Sequence, residues 1–562
     1  MIHRFHLPAF LGLALIFSAH GQSAANVQEG AAPPGAAPAS ISDLMQEAGR
    51  HYREGDMEAA RQGYEAVLQQ DSKSIAAYVG LARAYLKQDK LREAEEIAFK
   101  RAEFAADRAL IETARGEVYF RQGKIAQAEK EFIKAVNAEP SLARPRLGLA
   151  RIYQAASLYQ RAKRMIESAH QLDLSDPDIY AFWMRTLGRR EEIKEMEARL
   201  KSADEKDAKD REEMQRYLDY LKQEEEHPAH NCRLATKFTS TETPLEYLLF
   251  DAAHARGYGL NVNINGKKVT LMLDTGASGL LVTRRIGEKA GITKAFESKV
   301  RGIGDKGAGD SYVGFAESIK IGNLEFLDCP VEVLEKRSVV GDDGLIGADV
   351  FEDFLVDLDF LHRKLRLGEL PKRPNEVARQ VTLQAGGEAS GYSQDEAGSD
   401  AKKSPGDASA KPPVKEGPQD RYVAPEMQSY TRVFRFGHML LVPTRINDLG
   451  DKLFLLDTGS LSNQISPDCA REITKVHGDP EMTVHGLSGS VKKVYSADKV
   501  VLQFGNLRQE NQDLVSYDLS GISRGVKTEI SGILGFVTLH LLEVKIDYRD
   551  GLVDFKYDPN GR

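Results

Sequence analysis

The stretch Val269–Val282 reads Val-Thr-Leu-Met-Leu-Asp-Thr-Gly-Ala-Ser-Gly-Leu-Leu-Val, an apolar strand that runs directly into an Asp-Thr-Gly turn. This turn contains Asp274. A second stretch, Leu453–Ile465, repeats the arrangement and brings Asp457 into a second Asp-Thr-Gly turn. Apolar runs of this length bounded by turn residues are typical of buried strands. Two carboxylates at two equivalent strand-to-turn corners predict one shared site.

The duplication extends well beyond the two turns. Each aspartate is followed 48 residues later by a Gly-Asn-Leu turn, and further on by a short Gly-apolar-apolar-Gly element. Twelve residues after each of these elements stands another aspartate. The spacing predicts one β-rich lobe built twice, over residues 244–370 and 428–562. The matching elements are Gly322–Leu324 with Gly505–Leu507, Gly344–Gly347 with Gly532–Gly535, and Asp359 with Asp547.

A 34-residue period precedes the two lobes, over residues 41–188. Two antiparallel helices cross closely only where small side chains face each other, and this period is typical of tetratricopeptide helix pairs. The sequence predicts an all-α superhelix of four units that is capped after Pro177. Such an array serves either as a scaffold or dimerisation element or as a surface for a protein partner. The alanines that recur at the period are Ala60, Ala94, Ala128 and Ala162.

Length and charge bound the remaining possibilities. A chain of 562 residues exceeds what one hydrophobic core supports, so several domains are expected. The net charge of -8, with both signs spread along the chain, provides no basic stripe for nucleic acid. We therefore expect no nucleic-acid partner.

The N-terminal residues predict export. Arg4 precedes a largely apolar run over residues 7–19 and then small residues that suit a cleavage site, so residues 1–25 are predicted to be a signal peptide. A membrane anchor is the alternative, but the run is shorter than the roughly 20 residues that a spanning helix needs. We expect a periplasmic or secreted protein with no stable membrane span after cleavage. A flexible spacer is predicted for residues 26–40.

Two further segments separate the predicted domains. Residues 189–243 are rich in charged residues and predict a helical connector, whereas residues 371–427 are nearly devoid of large apolar residues and predict a disordered linker. Three cysteines, Cys232, Cys329 and Cys469, lie far apart and lack metal-binding spacing. An exported protein could pair two of them, but lone structural or free cysteines are the favoured interpretation. No metal or other cofactor is predicted.

Taken together, the two Asp-Thr-Gly strands and the Gly-Leu-Ile-Gly and Gly-Ile-Leu-Gly elements resemble the aspartic protease superfamily. The lobes are similar to the retropepsin-like lobes of exported bacterial proteins that also carry tetratricopeptide repeats. The resemblance covers roughly residues 245–370 and 428–558. It implies a multidomain fold: an all-α tetratricopeptide superhelix followed by two all-β, retropepsin-like (pepsin-type) lobes.

The resemblance also implies a chemistry, hydrolysis of peptide bonds by an aspartic-type endopeptidase. Amide hydrolysis needs a base to activate water and an acid to protonate the leaving nitrogen, and two carboxylates that share one proton supply both. Asp274 and Asp457 are the implied catalytic pair. Around them, the implied supporting residues are Thr275, Gly276, Thr458, Gly459 and Ser460.

Two finer expectations follow from the turns. A Ser460 hydroxyl that donates to the nearby carboxylate would make Asp457 the more acidic partner, because Ala277 offers no such donor in the first lobe. Glycine-rich stretches at residues 301–309 and 485–489 are interpreted either as flaps over the substrate or as ordinary hairpin turns.

The favoured hypothesis is an exported aspartic endopeptidase that cleaves a peptide or protein substrate at one site within one chain. One alternative is a non-catalytic scaffold that binds peptides in a degenerate protease cleft. Another pairs like lobes between two chains. The repeats would recruit a partner or substrate protein.

Overall fold

The computed structural model of the chain describes residues 40–100, 108–202, 208–226, 232–237, 239–249, 255–304, 307–335, 343–374, 419–447 and 449–559. The predicted signal peptide and residues 26–39 of the predicted spacer lie outside the described residues, as do residues 375–418 of the predicted linker.

Antiparallel helix pairs form the N-terminal part of the molecule. Polar residues begin the first helices: Ser40, Asp56 and Ser74 each accept a hydrogen bond from a backbone N–H of the first turn. The four periodic alanines are all 0% exposed, as close helix crossing requires. The prediction of an all-α repeat array is confirmed. The helices are α1 (Ile41–Glu54), α2 (Met57–Gln70), α3 (Ile75–Lys87), α4 (Leu91–Lys100), α5 (Arg108–Arg121), α6 (Ile125–Ala138), α7 (Arg144–Ala155), α8 (Tyr159–Leu172), α9 (Pro177–Met184), α10 (Arg189–Ser202) and α11 (Ala208–Glu226).

A first β-rich lobe, lobe 1, follows the helices. Its hairpin at Asn265-Gly266 pairs Ile264 with Lys267, as the sequence predicts. The elements are β1 (Arg233–Leu234), β2 (Thr241–Leu249), β3 (Ala255–Ile264), β4 (Lys267–Asp274), β5 (Leu280–Thr283), α12 (Arg284–Lys289), β6 (Phe296–Val300), β7 (Gly309–Ile321), β8 (Leu324–Leu334), β9 (Gly344–Gly347), a 3-10 turn (Ala348–Phe351), β10 (Phe354–Asp359) and β11 (Lys364–Glu369).

A second lobe, lobe 2, repeats the strand plan. Its elements are a 3-10 turn (Pro425–Met427), β12 (Thr431–Arg432), β13 (Phe434–Phe436), β14 (Met439–Ile446), β15 (Asp451–Leu456), β16 (Gln464–Ile465), α13 (Pro467–Arg471), β17 (Val476–Asp479), β18 (Val484–Gly486), β19 (Gly489–Val491), β20 (Val494–Phe504), β21 (Leu507–Ser516), α14 (Ser520–Val526), β22 (Gly532–Leu534), α15 (Phe536–Leu539), β23 (Leu542–Asp547) and β24 (Leu552–Tyr557).

Equivalent strand pairings in the two lobes confirm the predicted duplication. In lobe 1, β9 lies between β4, to which it is parallel, and β5, to which it is antiparallel. In lobe 2, β22 lies between β15 and β16 in the same way. The short Gly-apolar-apolar-Gly elements therefore cross beside each Asp-Thr-Gly turn.

One sheet spans both lobes. Strands β10 and β11 of lobe 1 continue into β23 and β24 of lobe 2 through antiparallel pairing of β10 with β23. Leu355 pairs with Asp547, and Asp359 pairs with Glu543. This shared sheet fixes the lobes to each other beneath the two aspartate turns.

The repeat array packs against lobe 2. One buried apolar cluster, here called the repeat–lobe 2 cluster, contains side chains of both parts. Two hydrogen bonds reinforce it: the Thr528 hydroxyl donates to the Phe120 carbonyl at 2.6 Å, and the Glu529 amide donates to the Arg121 carbonyl at 2.9 Å. The fully buried members are Phe120, Ile125, Ala128, Phe132, Leu149, Ile152, Leu441, Leu453, Leu455, Tyr517, Leu519, Ile530 and Ile533.

The structure corrects the interpretation of the cysteines. Cys232 and Cys329 form a disulfide, with a Cα–Cα distance of 4.4 Å, while Cys469 is free and buried. The two half-cystines meet because β1 pairs with β8 two residues away from Cys329. The pairing depends on a contact between residues 97 positions apart, which no local sequence pattern reveals.

Two predicted boundaries also differ from the structure. The predicted connector ends at residue 243, but β1 and the start of β2 already belong to lobe 1. The predicted linker ends at residue 427, but its described end is packed: Arg421 donates to the Asp550 and Val433 carbonyls, and Met427 is buried. Individual side chains such as Arg421 and Met427 therefore anchor a segment whose average composition is polar.

Among the residues that the structure describes, we find no helix with the length and apolar character that crossing a bilayer demands.

Candidate active site

Two equivalent corners carry Asp274 and Asp457 to the interface between the lobes. Asp274 is the last residue of β4 and pairs with Gly347 of β9. Asp457 follows β15, and its amide donates to the Leu534 carbonyl of β22 at 3.0 Å. Each aspartate is therefore held by a neighbouring strand of its own lobe.

The two turns approach each other closely at their glycines. A Cβ atom added to Gly459 would lie 2.3 Å from Asp274 Oδ2, and one added to Gly276 would lie 2.6 Å from Asp457 Cγ. Each carboxyl therefore lies against the opposite turn, and each shifts the pKa of the other. The absence of a side chain at these two positions is what allows each carboxyl to contact the opposite turn.

Thr275 and Thr458 join the turns through reciprocal hydrogen bonds. The Thr275 amide donates to Thr458 Oγ1 at 3.0 Å, and the Thr458 amide donates to Thr275 Oγ1 at 3.0 Å. Each hydroxyl then donates to the opposite strand, Thr275 to the Leu456 carbonyl and Thr458 to the Leu273 carbonyl. All four bonds cross between the lobes, so they fix the separation of the carboxyls.

The environment favours one shared proton on the pair. Burial raises the pKa of Asp274 above its usual range. Burial and then the adjacent Asp274 charge raise the pKa of Asp457 well above its usual range. Gly276 N donates to Asp274 Oδ1 at 2.8 Å and Gly459 N to Asp457 Oδ1 at 2.9 Å, which stabilises the ionised form of each. Two carboxyls in such contact cannot both ionise easily, so one retains a proton.

The Ser460 hydroxyl does not donate to the Asp457 carboxyl, which contradicts the reason for expecting Asp457 to be the more acidic partner. The Ser460 hydroxyl accepts a hydrogen bond from Gln464 Nε2 at 2.7 Å and points to the Ser462 carbonyl at 3.5 Å. Only the Ser460 amide reaches Asp457, at 3.1 Å from Oδ1. The hydroxyl is thus engaged elsewhere and does not lower the pKa of Asp457.

The two glycine-rich segments meet next to the aspartates. Gly302 N donates to Ser488 Oγ at 2.8 Å, and Ser488 N donates to the Ile303 carbonyl at 3.0 Å. Leu487, at the turn between β18 and β19, packs against a small apolar cluster that includes Ala277. One segment from each lobe therefore lies beside the dyad, in the manner of paired flaps.

Tyr312 and Tyr495, the tyrosines that follow the two glycine-rich segments, lie outside those segments. Tyr312 belongs to β7, and its hydroxyl donates to the Ile292 carbonyl at 3.4 Å. Tyr495 belongs to β20 and lies under the Arg471 guanidinium, 5.4 Å from the ring centre. Both side chains support the body of a lobe.

The described residues contain no group of three or more His, Cys, Asp or Glu side chains arranged to hold a metal ion. The site has two acidic oxygen donors and backbone amides around them. Its chemistry is that of a carboxyl pair.

Sequence reasoning missed two polar residues that connect to the site. Gln464 and Tyr517 are buried and linked to Ser460 by hydrogen bonds. A signal was present, because the positions 183 residues earlier, Leu281 and Leu334, are apolar. Comparison of the two lobes position by position would have found this difference.

The fold and the carboxyl pair define a two-lobed aspartic protease architecture that follows a helical repeat array. Residues 260–350 and 442–537 each match the aspartyl protease family, and residues 51–117 match the tetratricopeptide repeat family. The predicted resemblance is confirmed in both parts: the chain carries two aspartyl-protease lobes and tetratricopeptide repeats.

Curated relatives match only part of this chain. It is 33% identical over 111 residues to UBA domain-containing protein Mud1 of Schizosaccharomyces pombe, which covers 19% of this chain and 32% of that protein. It is 30% identical over 138 residues to DNA damage-inducible protein 1 of Cryptococcus neoformans, covering 23% of this chain and 31% of the relative. The chain thus spans about a third of the length of these relatives.

A solved structure aligns over a larger region. The crystal structure of aspartic proteinase from Irpex lacteus covers 57% of this chain and 98% of its own length, with 12% sequence identity and a TM-score of 0.33. The similarity to the aspartyl protease family rests on the two matching segments and their Asp-Thr-Gly turns.

Proposed function

We propose that the chain is an exported aspartic endopeptidase whose single active site is the Asp274–Asp457 pair. The observation that carries the proposal is the shared, buried carboxyl pair that the reciprocal threonine bonds hold between two lobes of one chain. A protonated and an ionised carboxyl in contact provide a general acid and a general base together.

The ionised carboxyl accepts a proton from water as the water attacks the peptide carbonyl. The protonated carboxyl supplies the proton that the leaving nitrogen requires. We assign the retained proton to Asp457, whose pKa is raised well above its usual range by burial and then by the adjacent Asp274 charge, and the initial base role to Asp274. The paired segments around Ile303 and Leu487 would cover an extended peptide and exclude water from it.

Export belongs to the same proposal. The predicted signal peptide and the Cys232–Cys329 disulfide support it, since disulfides persist in oxidising compartments and are rare in the cytosol. A protein partner on the repeats is also proposed. Since the third and fourth repeats already contact lobe 2, such a partner would use the first two repeats, α1–α4.

Cleavage of a denatured protein at acidic pH tests the proposal. We expect the full chain to cleave, and Asp274→Asn and Asp457→Asn each to lose at least about a thousandfold in kcat/KM, because neither carboxyl alone supplies both proton transfers. Asp498→Asn, a substitution of an exposed aspartate in lobe 2, is the control for loss of a charge. A wild-type chain that binds peptide but does not cleave it would reject the proposal in favour of a peptide-binding scaffold.

Mixing the two inactive variants separates the one-chain site from a site shared between chains. Within one chain, each variant lacks one carboxyl of its own pair, so the mixture stays inactive. Restored activity in the mixture, together with a dimeric mass in solution, would show that unlike lobes of different chains combine. Like lobes paired between two chains would instead leave one intact carboxyl pair in each single variant, so each variant would keep cleavage activity.

A further inference from the structure

A chain of buried polar side chains leads away from Asp457. The Ser460 amide donates to Asp457 Oδ1 at 3.1 Å, Gln464 Nε2 donates to Ser460 Oγ at 2.7 Å, and the Tyr517 hydroxyl donates to Gln464 Oε1. Ser460, Gln464 and Tyr517 are 9%, 5% and 1% exposed. Burial of polar groups costs free energy unless each is hydrogen-bonded, and here every link of the chain is bonded to the next.

The fold does not require this series of hydrogen-bonded side chains. In lobe 1 the same three positions are Ala277, Leu281 and Leu334, and they pack in one apolar cluster beside Met272 and Leu345. The backbone context is equivalent, since Leu281 pairs with Glu332 and Gln464 pairs with Val515, both 183 residues later in lobe 2 than in lobe 1. Apolar side chains therefore fit the same backbone in lobe 1, whereas lobe 2 has polar side chains at the equivalent positions.

The far end of the chain lies in the repeat–lobe 2 cluster. The Tyr517 ring is buried there with apolar side chains of the repeat array, including Phe120 and Leu149, and with Ile533 of β22. The ring has no freedom to move away from Gln464 while the repeats remain docked. The repeat array and the carboxyl pair are thus connected by one ring and two side-chain hydrogen bonds.

From this geometry we infer that Gln464 and Tyr517 are positioning residues for the hydrolytic reaction. Tyr517, fixed by the docked repeats, orients Gln464; Gln464 orients Ser460; and the Ser460 amide holds the Asp457 carboxyl. The inference rests on the proposed function, and it makes repeat docking a condition for full activity. Neither side chain contacts the reacting atoms, so their effect passes through Ser460.

The hydrogen-bonded series from Tyr517 to Asp457 has a predictable effect on the protonation of Asp457. An amide that donates to a carboxylate favours its ionised form, so a displaced Ser460 amide would raise the pKa of Asp457 further. The pH range in which the pair holds one proton would then move upward. A purely structural role for Gln464 and Tyr517 would change stability and leave the pH limits of catalysis in place.

The test compares the full chain with Tyr517→Phe, which removes one hydroxyl, and Gln464→Leu, which installs the lobe 1 residue. We expect each to lower kcat about tenfold at nearly unchanged KM, because a small displacement of a catalytic carboxyl is costly. The alkaline limb of the pH profile, which reports ionisation of Asp457, should move up by about half a unit or more, as expected for one lost amide bond. The double variant should have a kcat no lower than that of either single variant, because both substitutions interrupt the same series of hydrogen bonds.

Tyr258→Phe is the matched control, because Tyr258 is also a fully buried tyrosine, and its hydroxyl donates to the Phe360 carbonyl in lobe 1 at 3.0 Å. It should keep the wild-type pH limits. Wild-type kcat and pH limits in both test variants, or an equal shift in Tyr258→Phe, would overturn the inference. If Gln464→Leu does not fold, the Tyr517→Phe result decides alone.

If the proposed function is wrong, the wild-type chain shows no cleavage that depends on Asp274 and Asp457. This result is distinct from any result that overturns the inference alone. In that case infrared titration of the protonated carboxyl, assigned by its loss in Asp457→Asn, measures the same pKa directly. We expect the band to persist to higher pH in Tyr517→Phe and Gln464→Leu. An unchanged titration would reject the inference without reference to turnover.

Discussion

Lobe 1 and lobe 2 arrange equivalent strands around equivalent aspartates, but different parts of the molecule stabilise them. Lobe 1 carries the Cys232–Cys329 disulfide, which connects β1 with the end of the β7–β8 hairpin. Lobe 2 instead packs the outer face of β14 and β15 on the helical repeats. A duplicated fold can therefore keep its backbone pairings while each copy acquires its own support.

Removal of a large side chain from the repeat array should affect lobe 2 far more than lobe 1. Phe132 lies in the repeat–lobe 2 cluster, and Phe132→Ala should cost about 3–5 kcal/mol through lost burial and a cavity. Hydrogen exchange should then show reduced protection of β15 in lobe 2 and unchanged protection of β4 in lobe 1.

Tyr64→Ala is the matched control for this substitution. Tyr64 occupies the equivalent position two repeats earlier and packs on Gly80 as Phe132 packs on Gly148, but it belongs to a separate cluster of the first repeats. It should destabilise the repeats locally and leave β15 protected. If both variants expose β15 equally, the repeats stabilise lobe 2 only through their overall folding.

Reduction of the disulfide should destabilise lobe 1 more than lobe 2. The bond connects residues 97 positions apart, and its loss should destabilise lobe 1 by about 3 kcal/mol. Cys329→Ser should reproduce the effect, with exchange faster in β8 than in the equivalent β21. Cys469→Ser, which removes the buried free thiol of lobe 2, is the control and should leave the response to reductant unchanged. A reductant effect on both lobes alike would contradict this assignment.

The different supports also explain which features the sequence revealed. The Asp-Thr-Gly turns, the 48-residue spacing and the periodic alanines are local or repeated patterns, and they predicted the lobes and the helix pairs. Docking of the repeats left only an indirect trace: Leu453, Phe454, Leu455 and Leu456 are all apolar, as in a strand covered on both faces. The structure shows Phe454 and Leu456 in the lobe core and Leu453 and Leu455 against the repeats.

The sequence indicates the disulfide and the Gln464–Tyr517 hydrogen bond even less clearly. Both depend on contacts between residues far apart in sequence, so propensity and periodicity carry no information about them. The direction of the Ser460 hydroxyl was predicted incorrectly for the same reason, because its partner Gln464 could be recognised only once the strands were placed. The candidate pair itself needed only the duplicated turn.

A pH effect should distinguish the lobes at a second equivalent position. Asp349, two residues after the Gly-Leu-Ile-Gly element, is buried and accepts hydrogen bonds from Gly279 N and Ser278 Oγ, whereas its counterpart in lobe 2, Val537, is 48% exposed. Burial raises the pKa of Asp349 to about 6. Since the folded protein holds this proton more tightly than the unfolded chain, the unfolding free energy should fall as pH rises from about 4 to about 6.

The magnitude expected from the full shift is about 3 kcal/mol, allowing about 1.4 kcal/mol for each pKa unit. Asp349→Asn should remove this part of the slope, whatever constant offset it adds, and Val537→Ala should leave the slope of the wild type. Chemical denaturation at a series of pH values measures both. A slope that survives in Asp349→Asn would assign it to the other buried carboxyls, chiefly the Asp274–Asp457 pair and Asp547.

The smallest expected effect concerns one hydroxyl between the repeats and lobe 2. Thr528→Val keeps the shape of a buried side chain and removes its donation to the Phe120 carbonyl. That carbonyl also accepts from Gly123 N at 3.1 Å, so it does not lose its last partner, and the cost should be only about 1 kcal/mol. Thr444→Val, which removes a buried hydroxyl bonded to the Val442 carbonyl within lobe 2, is the control. Faster exchange in α5 for Thr528→Val alone would show that this hydroxyl contributes to docking, whereas equal exchange in both variants would assign the docking energy to the apolar cluster.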